Sequence, residues 1–104
     1  MNTIPSPWPF DQAPNVAAVT STHITERHLP ILSVTHYDDD HSWGFQSGLN
    51  VTMAEAQVVS MKEVLLMDST VAEIADLPPG HSARRDRIGG EWTIHKDEWD
   101  DDES

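Results

Sequence analysis
Two apolar runs meeting across an acidic tetrad constrain this chain more than any other stretch. Residues 30–37 read Pro-Ile-Leu-Ser-Val-Thr-His-Tyr, residues 38–41 Asp-Asp-Asp-His, and residues 42–48 Ser-Trp-Gly-Phe-Gln-Ser-Gly. Short apolar runs on either side of a strong turn former define a β-hairpin. Leu32 and Val34 fall on one face and Ile31 on the other. Trp43 and Phe45 repeat the alternation beyond the turn, the period of a half-buried sheet. The core is expected to assemble against this hairpin.

The rest of the chain supplies elements to pack on it. Residues 16–24 (Val-Ala-Ala-Val-Thr-Ser-Thr-His-Ile) are small and β-branched and read as a strand. Residues 49–56 read as a loop or short helical turn, and Gln57-Val58-Val59 as a short buried strand or a lead into a helix. Ser60-Met61-Lys62-Glu63 is a capping box, in which the serine oxygen accepts from the Glu63 N–H and the glutamate reaches back. Met61, Val64 and Leu65 then fall on one helical face. Thr70-Val71-Ala72-Glu73 offers a second such box, and Leu77-Pro78-Pro79-Gly80 ends the segment because proline cannot continue a helix. Residues 81–95 form a last hairpin, with Gly89-Gly90 at the turn.

These elements define one α+β domain: a mostly antiparallel sheet with two short helices on one face. The expected boundaries are a Pro-rich arm at 1–15, the domain at 16–96, and an acidic tail at 97–104. Four of the seven prolines lie in the arm, where Trp8 and Phe10 are available to pin it. In the tail, six of the seven residues from 97 to 103 are acidic, and such a like-charge block is expected to be disordered.

Charge narrows the partners. Eighteen carboxylates against six Lys and Arg give a formal charge of −12. Phosphate recognition needs cations, so nucleic acid and anionic membrane are not expected ligands; a basic protein is. The chain has no cysteine and no apolar run of bilayer length. Its first ten residues lack the basic start and apolar core of a signal peptide, and a cytoplasmic location is expected.

Few residues offer chemistry. His36 and His41 bracket the three aspartates and could share a divalent ion, although ligands within one loop seldom converge without a second segment. No Gly-x-Ser-x-Gly elbow, phosphate-cradling loop or dinucleotide fingerprint occurs, so no catalytic residue and no cofactor are assigned. The candidate contact residues are the carboxylates Asp38, Asp39 and Asp40, together with Arg84, Arg85 and Arg87. The three arginines are half of all Lys and Arg in the chain. They can clamp an external anion or pair with the chain's own acids, the 38–40 turn among them.

Together, Asp40-His-Ser-Trp43-Gly-Phe45-Gln-Ser47-Gly48, Val58-Val59-Ser60-Met-Lys-Glu63-Val64, and Asp76-Leu77-Pro78-Pro79-Gly80 with Ala83 and Arg85 resemble a family of small acidic bacterial proteins of unknown function. The family pattern runs Trp-x-Phe-x-Ser-Gly, a capped helix, Leu-Pro-x-Gly and an arginine. Some members are assigned as immunity proteins that neutralise toxins of interbacterial competition. The likeness spans about residues 16–92 and implies a non-enzymatic binding protein with no catalytic residue to carry over. Where the family has an Arg-Glu pair near the end of the second strand, this chain has His36-Tyr37, so a charge-based role there does not transfer.

Overall fold
The computed structural model describes residues 8–49 and 51–97. Strands β1 (Ala17–Ser21), β2 (Ser33–His36), β3 (Trp43–Gln46), β4 (Ala56–Ser60), β5 (His81–Arg84) and β6 (Thr93–Lys96) form one sheet in the order β4-β1-β3-β2-β5-β6. Every neighbouring pair is antiparallel except β1 and β3, which run parallel with Val19 opposite Gly44. Helix α1 (Thr22–Thr25) follows β1, α2 (Met61–Met67) follows β4, and a 3-10 helix (Ser69–Ile74) follows α2.

Register sorts the sheet into two unlike faces. Phe45, Val34, Ala83 and Ile94 stand in one row across four strands, with Trp43 and His36 in the next row on the same side. Of the apolar residues on this face, Phe45, Val34, Ala83 and Trp43 join Ala18, Ile24, Ile31, Met61, Val64, Leu65, Val71, Ile74 and Leu77 in a single core, whereas Ile94 is exposed. On the opposite face Val58, Val19, Gly44, Thr35, Ser82 and His95 form a row of mostly small or polar side chains. Tyr37 lies over Gly44 there. A Cβ at that glycine would come within 3.1 Å of the Tyr37 ring, so the missing side chain makes the slot the phenol occupies.

Several elements take the form their residues predict. The β2–β3 hairpin pairs His36 with Trp43 through Ser33 with Gln46, and Trp43 and Phe45 are wholly buried. The capping box at α2 is complete: Ser60 Oγ accepts from Glu63 N at 3.1 Å, and Ser60 N donates to Glu63 Oε1 at 3.0 Å. Gly80 takes φ +79 just beyond the two prolines, and Gly89 takes φ +84 in the β5–β6 connection.

Elsewhere the structure departs from expectation. The first strand stops at Ser21, and Thr22–Thr25 coils into a helical turn that buries Ile24 in the core. Tertiary burial here outweighs the β preference of two threonines and an isoleucine. Residues 56–60 form an edge strand, with Val58 exposed rather than buried. The second cap is Asp68, not Thr70: its side chain accepts from Thr70 N at 3.0 Å, and Glu73 instead accepts from Trp92 Nε1. The arm is not loose from residue 8 onward. Phe10 packs edge-on against Trp43 with ring centroids 4.9 Å apart, and it belongs to the core. Pro5, Pro7 and the tail beyond Asp97 lie outside the described residues.

A buried ion pair ties the ends of these elements together. Arg85 Nη2 meets Asp68 Oδ2 at 2.7 Å, Nη1 donates to Thr70 Oγ1 at 2.8 Å, and Nε donates to the Ile31 carbonyl at 3.0 Å. The guanidinium also sits 4.2 Å from the centre of a Trp92 ring. Removing one partner of such a pair strands a buried charge, at a cost of about 3–5 kcal/mol. Asp68→Ala removes the 3-10 helix cap as well, so its urea-unfolding stability is expected to fall by about that amount or more. A loss below about 1 kcal/mol would show that water reaches and solvates the guanidinium.

Candidate functional site
The two ends of the sheet differ in charge. At one end the β2–β3 turn is closed by the Tyr37 N–H donating to the Ser42 carbonyl at 2.9 Å. Within it Asp39 Oδ1 accepts from Asp40 N at 2.9 Å, and Asp40 Oδ1 accepts from Ser42 N at 3.0 Å and Ser42 Oγ at 2.7 Å. Aspartates favour such positions because a short carboxylate can bond to backbone just ahead of it. Hydrogen bonds from the Ser42 side chain, then its backbone, hold the Asp40 carboxyl below the usual carboxylate range. His41 takes φ +60 to complete the turn.

A second segment joins this end. Gly80 lies against Asp38, and its carbonyl accepts from Asp97 N at 2.8 Å, so the end of β6 comes beside the turn. Asp97 Oδ1 accepts from Ser82 Oγ at 2.6 Å, while Asp97 Oδ2 is buried with no hydrogen-bond partner among the described residues. Tyr37 feels this concentration of charge. Burial, then the Asp97, Asp39 and Asp40 carboxylates in that order, raise its phenol above the ordinary value of 10.0. Asp38, Asp39 and Asp40 are all exposed, and among the described residues none forms an ion pair.

The arginines lie at the other end and do not act as a group. Arg85 is internal, and its partner is Asp68 rather than the 38–40 turn. Arg84 and Arg87 are exposed. Arg84 borders a polar cleft of about 320 Å³ with Ser33, Ser47, Asp86, Glu91 and Thr93. Arg85 lines it too, so two carboxylates share the cleft with two arginines.

His36 and His41 do not converge on an ion position. His36 is buried and stacked on Trp43, with ring centroids 4.0 Å apart. Its Nδ1 is 2.7 Å from the Leu77 carbonyl, which can only accept, so Nδ1 carries a proton. Nε2 faces Asp11 Oδ2 at 3.3 Å, an ion-pair distance without hydrogen-bond alignment, and the contact is attractive only when Nε2 is protonated too. Asp11 Oδ1 accepts from Trp43 Nε1 at 2.9 Å. Asp11 therefore fastens the arm to the hairpin, a role no local pattern marks. Among the described residues no three His, Cys, Asp or Glu side chains are grouped to hold a metal.

Set against known protein families, curated proteins and solved structures, the chain finds no match in any of the three.

The acid end makes a spectroscopic prediction. The phenolate absorbance of Tyr37 should titrate above pH 10, and Asp97→Asn should bring the midpoint down. Because the folded phenol holds its proton more tightly than the unfolded one, its contribution to stability is fully present below the ordinary value. That contribution is lost as pH rises through the folded value, and the loss should be absent in Tyr37→Phe. A midpoint at or below 10 would mean that the carboxylates do not surround the ring.

Proposed function
We propose that this chain is a non-enzymatic binding module that docks its acidic end on a basic protein, in the manner of an immunity-type inhibitor that occludes an effector's site. One observation carries the reading. Three exposed carboxylates stand on a turn ordered by its own hydrogen bonds, beside Asp97, and the described part of the chain supplies no cation to pair with them. A preformed charged turn loses little conformational freedom on binding, and unpaired charge steers association with an oppositely charged surface. The net charge of −12 and the resemblance to small acidic immunity proteins support the same reading. A metal-dependent function through His36 and His41 gains no support, since His36 is committed to the core.

Replacing Asp38, Asp39 and Asp40 together with Asn is the direct test. Wild-type protein immobilised at low salt is expected to capture one stoichiometric cationic protein, released as salt rises. The triple variant should bind that protein about tenfold or more weakly, mainly through slower association. Equal retention by both would rule out this end as the contact.

A further inference from the structure
The two edges of the sheet are built differently. Free edges are commonly protected from further pairing by lysine, proline or a bulge. The β6 edge follows that rule: His95 and Lys96 lie on it, and an acidic run begins at Asp97. The β4 edge does not. It reads Ala56-Gln57-Val58-Val59-Ser60, with neither charge nor proline, and pairs with β1 through five consecutive residues without a bulge. Val58 at its centre is 69 % exposed.

Register shows which backbone groups this edge leaves open. The Thr22 N–H donates to the Glu55 carbonyl, and the Met61 N–H donates to the Val16 carbonyl. In an antiparallel ladder bonded pairs alternate with unbonded ones, so Thr20–Gln57 and Ala18–Val59 are the bonded pairs between them. Ala56, Val58 and Ser60 therefore turn their backbone groups away from β1. The Ala56 N–H donates to the Thr52 carbonyl at 3.2 Å, and the Ser60 N–H donates to Glu63 Oε1 at 3.0 Å. Val58 alone of the three has an N–H without a partner among the described residues, and its carbonyl is open beside it.

We propose that β4 pairs with β4 of a second copy of this chain about a two-fold axis at Val58, making one continuous sheet. Each Val58 then donates to and accepts from the other, and Ala56 of one copy stands opposite Ser60 of the next. The distribution of charge selects a second copy in this orientation. β1 leaves the acidic end, where Gln12 Nε2 donates to the His41 carbonyl, and β4 runs back towards it. Antiparallel pairing therefore sends the two aspartate turns to opposite ends of the joined sheet. Two chains of charge −12 meet through an uncharged strip, with their densest acids held apart. Glu55 precedes the strand and Lys62 and Glu63 follow it, so each end of the contact carries both signs. The interface is isologous and closes on itself. Five residues from each copy make a small contact, so association is weak. Both aspartate turns stay open, and the pairing is independent of docking on a basic protein.

Sedimentation velocity on the full chain, from about 10 μM to about 1 mM, tests the assignment. The wild-type mass should rise with concentration towards that of a dimer and stop there. Val58→Lys sets like charges opposite each other, and Val58→Pro removes the outward donor without touching the β1 ladder. Both should stay monomeric with the circular dichroism of the wild type. Replacing Asp38, Asp39 and Asp40 with Asn should leave the dimer at least as strong, which separates this contact from the acidic end. The chain has no cysteine, so oxidation of Val58→Cys reports the geometry. Cα atoms about 5.5 Å apart in a bonded antiparallel pair are within disulfide range, and a covalent dimer should form. Met53→Cys should not form one: Met53 is 94 % exposed but lies five residues from the axis. A wild type that is monomeric throughout overturns the proposal. Association that persists in Val58→Lys or Val58→Pro overturns it too, as does a dimer in which Val58→Cys fails to cross-link.

Discussion

Arg85 leaves β5 and turns its guanidinium inward, and much of the surrounding geometry follows from where that charge must find partners. A buried cation is tolerated only when each donor is satisfied, and here three different elements supply acceptors. The Ile31 carbonyl fixes the entry to β2, and Asp68 joins the end of α2 to the 3-10 helix. Thr70 completes the ring by donating to Asp68 while accepting from Arg85. Trp92 then lies beside the guanidinium and brings the entry of β6 with it. Moving any one of these groups would leave a charge or a cap unmet, so the pair specifies an arrangement more than it adds stability.

The same logic, at lower cost, fastens the N-terminal arm. Asp11 is partly exposed, and it spends one oxygen on the Trp43 indole and turns the other to His36. His36 in turn holds the chain leaving the 3-10 helix, through the Leu77 carbonyl. Arm, hairpin and the Pro-Pro stop are linked through one stacked His–Trp pair. The hairpin thus organises the core through polar anchors as well as through Trp43 and Phe45.

How much of this was legible follows from range. The hairpin, the capped helix and the Leu-Pro-Pro-Gly stop are local: neighbouring residues alone decide them, and they stand where the pattern puts them. Long-range choices left no such mark. Nothing in Val-Thr-Ser-Thr-His-Ile says that the strand stops at Ser21, because the helical turn exists to bury Ile24 against distant residues. The cap passed from Thr70 to Asp68 because Arg85, seventeen residues on, already holds that carboxylate. The parallel β1–β3 pairing cannot be read from either strand. At the candidate site, the turn aspartates were visible as a run of acids, whereas the approach of Asp97 depends on a register three strands wide.

The place of β1 in the sheet has a kinetic consequence. Its neighbours are β3 and β4, and the Ala17–Ser60 pairing closes a loop of more than forty residues. The β2–β3 hairpin closes over only six. Loop closure costs more entropy the longer the loop, and sheets dominated by distant pairings fold slowly for that reason. The hairpin, with its aspartate turn, can form early and by itself, whereas β4 and the helix it starts must wait for β1. During that wait the surfaces of Trp43 and Phe45 stand open, and the carboxylates at the tip of the hairpin are the nearest charges to hold unfinished chains apart.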